Sequence, residues 1–433
     1  MKTNLNKMLL NAGKVLVLMF AMFFVFVSNA WAGNAPKQNS DTASFITISG
    51  KIVDKETLKP IMYANVSIVG TSAGTVANSE GEFIIKVAKN KPNDQIAISH
   101  IGYKTFKSSA DLLKKADNKI ILEQELISLK EIIVRIEDPI SLIKGALSNV
   151  RYNYRTNPVM VTGFYRETMK QNRKYVSIAE AVLEGYKASY TNNFVDDRVK
   201  VVIGRKGQDV KKMDTLLVKL QGGPVTPFYL DIVKNPGDIF SDDYIKYYDF
   251  KLDGQTSIDN KHCYIVSFTQ KPSVDLPLYD GKVYIEVETL AIVGLEFSLS
   301  KTGIAEATSL FVKKKPLTLN FETLGADYLV RYTEVNGKWC LNYVRSELKF
   351  KCKWKKKLFS SNYTAMVEMA ITDIDSTNVN KIKSKESISM NDVFSDKADD
   401  FKNDEFWGDY NYIKPDESIQ NAIEKLSKKL KKK

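Results

Sequence analysis

Cysteine and histidine are scarce in this chain of 433 residues. The three cysteines, Cys263, Cys340 and Cys352, contain no C-x-x-C spacing, so a dithiol redox motif is absent. Because their number is odd, at least one thiol has no partner within the chain, and we expect buried thiols rather than a bridge. The two histidines, His100 and His262, are far apart in the sequence, whereas a zinc site needs three or four ligands. We therefore expect no metal site.

Sequence motifs for catalysis are also missing. The chain has no glycine pattern of a P-loop or a dinucleotide-binding fold. Neither histidine stands beside a recognisable nucleophile motif, although counting alone leaves a Ser-His-Asp triad open. The adjacent carboxylates Asp196-Asp197, Asp242-Asp243 and Asp399-Asp400 would diverge on a strand, and we interpret them as loop surface. We expect no catalytic residue and no cofactor, with a hydrolase that uses an unrecognised carboxylate site as an alternative.

The first 32 residues differ from the rest of the chain. Three lysines and no acidic residue precede or flank the continuously apolar run Val15–Val27, and Ala30-Trp31-Ala32 fits a small-x-small cleavage site. That run is shorter than the roughly 18–20 residues that a membrane-spanning helix needs. Residues 1–32 are therefore predicted to be a secretory signal peptide, followed by a polar linker over 33–44. The predicted location is the periplasm or the periplasmic face of the outer membrane of a Gram-negative envelope.

Short alternating runs rich in β-branched residues occupy the next part of the chain. Three of them are Val66–Val69, Phe83–Lys86 and Ile96–Ser99, and each is typical of a half-buried strand. Asn78–Gly81 suits a type I turn, with Asn first and Gly fourth. The pattern predicts a small antiparallel β-sandwich over residues 45–125.

The residues of this stretch resemble the carboxypeptidase regulatory-like domain, a transthyretin-like β-sandwich. The matching positions are Gly50, Val53, Asp54, Pro60, Ala64, Val66, Gly70, Thr71, Gly74, Thr75, Asn78, Gly81, Phe83, Gly102 and Tyr103. The segment 126–137 that follows is similar to the strand that connects such domains to the next module in TonB-dependent outer-membrane receptors. The resemblance implies an accessory domain without peptidase activity and without a zinc site.

Residues 138–412 are predicted to be mostly strand. Asp138-Pro139 favours the start of a helix, because Asp caps a helix and Pro suits its first position. The apolar residues expected on its buried face are Ile140, Ile143, Leu147 and Val150. Breaks at Glu288-Thr289-Leu290 and at Asn336-Gly337 indicate two hairpins. We predict a mainly β chain, in which the sandwich is followed by a large curved antiparallel sheet with a few helices.

The phrase Lys282–Phe297 is similar to periplasmic lipoprotein-carrier half-barrels, in which a strand hairpin with an acidic residue and Thr is common. That resemblance implies an incomplete, half-barrel-like sheet around an apolar hollow, and such hollows bind acyl chains. A lipid or another apolar molecule is therefore one candidate ligand of the second domain.

The charge is basic, +12 over the full chain, and part of it lies in residues 413–433. This segment combines the apolar stripe Ile419, Ile423, Leu426 and Leu430 with many lysines, which predicts a basic amphipathic helix. A solvated lysine face and attraction to an anionic membrane surface both explain the charge. Nucleic acid is not expected, since no recognition motif occurs.

These features predict a non-catalytic, exported cell-envelope protein that binds a ligand or a partner. One alternative is an interaction or spacer module of an outer-membrane complex that holds no small ligand. The hydrolase named above is the other. No ligand-binding residue can be assigned from the sequence.

Overall fold

The computed structural model describes residues 45–125, 138–192, 194–208, 223–307, 318–355, 359–390, 392, 394, 399–400 and 406–430. The predicted signal peptide (1–32), linker (33–44) and connecting strand (126–137) lie outside these residues. The described chain contains a small two-sheet sandwich and a large open sheet, which belong to one structural unit.

The first seven strands form the sandwich. Their bounds are β1 Phe45–Asp54, β2 Asn65–Ile68, β3 Gly74–Val76, β4 Glu82–Ala88, β5 Gln95–Ser99, β6 Phe106–Ser109 and β7 Asn118–Leu122. One sheet has the order β4-β1-β7 and the other β3-β2-β5-β6. Alternate side chains such as Phe83, Ile85 and Val87 are buried between the sheets, as the two-residue period of a strand requires. The expectation of an all-antiparallel sandwich is wrong at one edge, where β7 returns from the other sheet and pairs with β1 in parallel.

The predicted turn Asn78–Gly81 is present. The Gly81 N–H donates to the Asn78 carbonyl oxygen at 3.1 Å, and the Asn78 Oδ1 accepts from the N–H groups of Glu80 and Glu82, each at 2.9 Å. Gly81 has φ +71°, and a Cβ there would lie 2.6 Å from the Ile52 carbonyl oxygen. Glycine is therefore required at this position.

Eleven strands form the large sheet. Their bounds are β8 Val159–Gln171, β9 Lys174–Lys187, β10 Arg198–Gln208, β11 Tyr248–Ile258, β12 Lys261–Gln270, β13 Tyr279–Glu286, β14 Ile292–Leu299, β15 Leu319–Val335, β16 Lys338–Trp354, β17 Ser361–Asp375 and β18 Asp399–Asp400. The order is β11-β12-β13-β14-β15-β16-β17-β8-β9-β10-β18. All pairs are antiparallel except β10 with the two-residue β18. The end strands β11 and β18 are not paired with each other, so the sheet is open, and the predicted fold class is confirmed.

One face of this sheet, here called the concave face, encloses the main apolar core. Tyr248 and Ile258 come from β11, Ala179 and Leu183 come from β9 near the other end of the order, and all four lie in the same buried cluster. The sheet therefore bends around this core. The opposite side is called the outer face below.

The two predicted hairpins are confirmed. Asn336 and Gly337 have φ of 53° and 72°, and they join β15 to β16 as a two-residue turn in which both central residues are left-handed. Leu290 has φ 60° in the connection between β13 and β14.

Six α-helices occur in the described residues. Their bounds are α1 Pro139–Ser148, α2 Val150–Asn153, α3 Thr226–Tyr229, α4 Gly237–Phe240, α5 Lys301–Glu306 and α6 Glu417–Leu430. Short 3-10 segments cover Ala110–Leu112, Gly223–Val225 and Ile245–Tyr247.

The start of α1 is as predicted, and so is most of the predicted core-facing side, since Ile143 is buried and Leu147 and Val150 pack against the core. The Asp138 carboxylate accepts from the Ser141 N–H at 3.1 Å, and Pro139 is the first helical residue. The buried residues are Leu142, Ile143 and Ala146, whereas Ile140 is 37 % exposed. The prediction for Ile140 is wrong because Leu142, next to Ile143, takes the central place of the contact stripe.

The sandwich packs on the outer face of the large sheet. The Tyr63 ring stacks on Tyr343 of β16 with centroids 5.7 Å apart, and the Arg345 guanidinium lies 5.2 Å from the Tyr63 ring centroid. Asn342 donates to the Asn65 side chain at 3.0 Å. Aromatic, cationic and amide contacts therefore fix the sandwich to the sheet.

The helix α6 packs with its apolar side on β9. Ile419, Ile423 and Leu426 contact Ile178 and Tyr175 there, so the apolar stripe predicted for this segment is used inside the fold. A contact with an anionic membrane surface would depend on lysines alone, and it stays a prediction.

Candidate functional site

A small apolar cavity lies in the concave core. It is lined by residues that include Val161, Phe228 and Leu341, and its volume is about 10 Å³, close to the minimum for a single water. Phe240 of α4 packs edge-on against Phe268 with centroids 5.6 Å apart. This cavity is too small for an acyl chain.

A buried ion cluster holds the segment after α3 against the sheet. The Lys187 Nζ lies 2.5 Å from an Asp197 oxygen and 2.7 Å from an Asp231 oxygen, and the Lys234 Nζ lies 2.5 Å from Asp197. The Tyr332 hydroxyl donates to Asp231 at 2.8 Å. Although burial opposes its charge, the two carboxylates hold the pKa of Lys187 above its usual value. Every carboxylate of the cluster is paired, which assigns it a structural role.

The three adjacent Asp pairs, which were predicted to lie on the surface of loops, differ in their exposure. Asp242 and Asp243 are exposed, as predicted. The prediction is wrong for Asp197, whose side chain is 8 % exposed because Lys187 and Lys234 fold over it. Asp399-Asp400 forms β18, and the side chains of that strand lie outside the described residues.

The outer face carries a row of alternating charges across five neighbouring strands, here called the ion row. Its members are Arg345 of β16, Glu368 of β17, Arg166 of β8, Glu180 of β9 and Arg205 of β10, and each is the register partner of the next. Arg166 donates to Glu180 at 2.7 Å and to Glu368 at 2.8 Å, and Arg205 donates to Glu180 at 2.8 Å. Burial would raise the pKa of Glu180, but Arg166 and Arg205 outweigh it and lower that pKa.

Other parts of the chain cover the ion row. The Trp407 ring lies 4.7 Å from the Arg205 guanidinium, and the Ile413 carbonyl oxygen accepts from Arg166 at 2.7 Å. Arg166 is 1 % exposed and Glu180 0 %. The row therefore lies inside the joint between the sheet, the sandwich and the C-terminal segment.

An open cleft of about 740 Å³ lies between the sandwich and β13–β15. The outer-face residues that line it include Lys282, Glu296, Ser298 and Arg331. The sandwich supplies the segment Lys59–Tyr63 together with His100 and Tyr103. This space is called the cleft below.

One side of the cleft is fixed by Asp54. Its carboxylate accepts from the Thr57 N–H at 2.6 Å, from the Tyr103 hydroxyl at 2.9 Å and from the Gln124 amide at 2.9 Å. The bond from the Thr57 N–H is the main reason why the pKa of Asp54 is well below its usual range. Asp54 is therefore a saturated acceptor that positions the wall, and a poor candidate for a general base.

His100 and an ion pair define the chemistry of the cleft beside this wall. Burial, helped by the positive charge of Arg331, lowers the pKa of His100 to about 4, and its Nδ1 lies 3.1 Å from the Ile101 carbonyl oxygen. Arg331 pairs with Glu296 across β15 and β14. Met62 leaves 49 % of its surface exposed at the same place. The cleft thus offers a neutral imidazole, paired charges and an apolar side chain, which suits binding by mixed polar and apolar contacts.

The other sequence-predicted residues are not brought together. All three cysteines are free and buried, as expected, and Cys340 and Cys352 lie on the same strand, β16. Burial raises the pKa of the Cys263 thiol to about 12 and that of Cys352 to about 11. His262 is exposed while Cys263 is buried, which confirms that they point to opposite faces.

Within the described part of the chain, no group of three His, Cys, Asp or Glu side chains is placed to hold a metal ion. No helix there has both the length and the apolar character needed to cross a membrane.

Sequence reasoning missed the ion row. A signal was present, because Glu180 is the one polar residue within Ile178–Leu183, a run otherwise typical of a buried strand. The partners of Glu180 could not be inferred, since Arg166 and Arg205 meet it only through the register of three strands.

The chain was compared with known proteins, and one family model matches the part that contains the sandwich. Two solved structures similar to this chain have low sequence identity to it. A DUF1329 family protein from Desulfovibrio piger is 13 % identical, with 56 % of this chain and 96 % of that chain covered and a TM-score of 0.24. A LolA superfamily protein from Nitrosomonas europaea is 10 % identical, with 57 % and 96 % covered and a TM-score of 0.19. No curated protein matches this chain. Residues 48–134 match the family described as CarboxypepD_reg-like domain, which confirms the resemblance found in the sequence.

Proposed function

We propose that this chain is a non-catalytic, exported binding protein of the cell envelope, and that it binds its ligand or partner in the cleft. The observation that carries the proposal is the contrast between the cleft, at about 740 Å³, and the cavity of the concave core, at about 10 Å³. A binding site needs accessible concave space, and the cleft offers far more of it than this core cavity does.

The groups that line the cleft support binding rather than chemistry. The Asp54 carboxylate accepts hydrogen bonds from four neighbouring residues, and Glu296 is paired with Arg331. His100 is held neutral at physiological pH by burial. An acid–base pair would need an uncommitted carboxylate or imidazole within hydrogen-bond reach of a substrate. We therefore favour binding over the hydrolase alternative.

The location supports the same proposal. The predicted signal peptide, residues 1–32, would export the chain, and the free, buried thiols do not depend on a redox compartment. The periplasm or the periplasmic face of the outer membrane is the compartment that we propose, with an outer-membrane protein complex as the kind of partner.

Native mass spectrometry of the protein purified from its own envelope fraction tests this proposal. Met62→Arg places a long charged side chain at the cleft, and Leu112→Arg makes the same change at a sandwich residue that is 77 % exposed and does not line the cleft. We expect a bound species on the wild type and on Leu112→Arg that is lost from Met62→Arg. A lipid that stays bound to Met62→Arg would instead favour the concave core. A bare mass in every sample would favour the spacer module.

A further inference from the structure

A second cavity lies beside the ion row, where the sandwich, the outer face and the start of α6 meet. Its volume is about 220 Å³, far above the roughly 10–15 Å³ that one ordered water needs. Arg166, Thr168 and Lys170 alternate along β8 and so share its floor, and Thr364 of β17 is the register partner of Lys170. This space is called the polar pocket. It does not include the cleft residues His100, Lys282 or Arg331.

The carboxylates that line the polar pocket are already engaged. Their partners are Arg166 and Tyr343 for Glu368, Arg345 for Glu347, and the Ser79 hydroxyl with the Ile419 N–H for Asp416. These bonds to donors, the Ile419 N–H foremost among them, lower the pKa of Asp416 although its burial opposes this. The acceptors in the pocket therefore have little capacity left for a ligand.

The donors, in contrast, have capacity left. The Asn78 Nδ2 has no hydrogen-bond partner in the described part of the chain, and the residue is only 3 % exposed. Its amide orientation is fixed, because the Oδ1 accepts from the N–H groups of Glu80 and Glu82. A buried donor without an acceptor costs free energy until one is supplied.

Lys170 is the uncommitted charge of the pocket. Its Nζ lies 4.4 Å from the centroid of the Tyr175 ring, and no carboxylate of the described residues forms an ion pair with it. The Thr168 hydroxyl is on the same side of β8 and belongs to a residue that is 6 % exposed. A cation, two hydroxyl groups and an amide donor around one cavity are complementary to an anion with oxygen acceptors.

We propose that the polar pocket binds a small organic anion that presents carboxylate or phosphate oxygens. Lys170 supplies the counter-charge, and the Thr168 and Thr364 hydroxyls and the Asn78 amide supply hydrogen bonds. The bound anion would join the sandwich turn Asn78–Gly81 to the outer face. The polar pocket and the cleft share Tyr63 in their linings, but the donors proposed here line the polar pocket and not the cleft. The proposed function and this inference can therefore fail independently.

Isothermal titration of the full chain tests the proposal, with sodium succinate and inorganic phosphate as probes and sodium chloride at matched ionic strength as the reference. Lys170→Met removes the charge at the pocket, and Lys174→Met removes one from the exposed start of the neighbouring strand β9. We expect saturable binding of at least one probe to the wild type and to Lys174→Met. Because hydrogen bonds to charged groups are strong, Lys170→Met should bind at least about tenfold more weakly.

A second variant and a second measurement show whether the probe binds in the polar pocket itself. Thr168→Val keeps the shape and removes the hydroxyl, so we expect a several-fold loss of affinity for the same probe. The methyl resonance of Met366, which lines the pocket, should shift on binding. Succinate alone would identify a carboxylate site and phosphate alone a phosphoryl site. Absence of saturable binding for both, or equal affinity in Lys170→Met and Lys174→Met, would overturn the proposal.

Discussion

The two faces of the large sheet are buried by different means. The concave face is covered by apolar side chains of the sheet itself and of the short helices after β10, and its cavity is about 10 Å³. The outer face is covered by the sandwich and the C-terminal segment, and it keeps the ion row, the polar pocket and the cleft. The concave face is therefore a packed apolar core, whereas the outer face retains open space and hydrogen-bonding groups of the kind that a binding site uses.

The two faces should also differ in how substitutions affect the stability of the protein. An apolar core loses free energy roughly in proportion to the volume removed from it. A buried charge row depends on complete pairing, because removing one member leaves its neighbours buried and unpaired. Four substitutions test this contrast.

The largest effect is expected at the centre of the ion row. Arg166→Met removes the cation that lies between Glu180 and Glu368, and an uncompensated buried charge should lower the free energy of unfolding by about 3–5 kcal/mol. Urea unfolding measures the loss. Lys351→Met removes a lysine whose pair with Glu322 is exposed and should change stability little. Equal effects of the two changes would show that the row is hydrated rather than buried.

The concave face should lose somewhat less at a single position. Leu142 of α1 is 0 % exposed, and Leu142→Ala should cost about 2–5 kcal/mol through lost apolar contact and the cavity left behind. Leu112→Ala, at a residue 77 % exposed, is the matched control in the same unfolding assay. A loss at Leu142 no larger than at Leu112 would mean that α1 is not part of the core.

The pH dependence of stability should depend on the cleft wall. The pKa of His100 is lowered to about 4 in the folded protein, mainly by burial, from an ordinary value near 6.5. As pH falls from about 6.5 to about 4, the unfolded state takes up the proton first, so folding loses stability across this window, by roughly 1–3 kcal/mol. His100→Gln should flatten that part of the profile in unfolding measured from pH 7 to pH 4. His262→Gln is the control for losing an imidazole, and identical profiles for all three proteins would contradict the burial of His100.

The smallest effect is expected where the sandwich meets the sheet. Tyr63→Leu keeps an apolar side chain there but removes the stack on Tyr343 and the cation–π contact with Arg345, which together should be worth roughly 1–2 kcal/mol. The first unfolding step of the sandwich should shift by that amount in hydrogen exchange of β2 and β5. If exchange changed equally on the concave strands β12 and β13, the two assemblies would unfold together.

The sequence predicted local features better than it predicted how the faces are covered. The Asp138 cap, the Asn78–Gly81 turn and the Asn336-Gly337 hairpin depend on residues that are close in the chain, and all three are confirmed. The family resemblance and the open antiparallel sheet are confirmed as well.

The ion row and the cleft could not be predicted in the same way. Arg166 meets Glu368 across a sequence separation of 202 residues, and polar residues on alternate strand positions read as a solvated face until a second sheet covers them. Likewise, the sequence around Asp197 is typical of the surface, but in the structure Lys187 and Lys234 pair with this residue and bury it. The burial of these residues depends on contacts between segments that are far apart in the chain. No single segment contains the information that fixes those contacts.

Methyl NMR compares the two faces in one experiment. Of the eleven methionines, Met62 lines the cleft and Met369 lies in the concave core at 0 % exposure, and Met→Leu substitutions assign both signals. Solubilised extract of the native envelope is added to the labelled protein. Our account predicts that the Met62 resonance shifts and the Met369 resonance does not. A shift of Met369 with Met62 unchanged would place the ligand in the concave core and contradict the account.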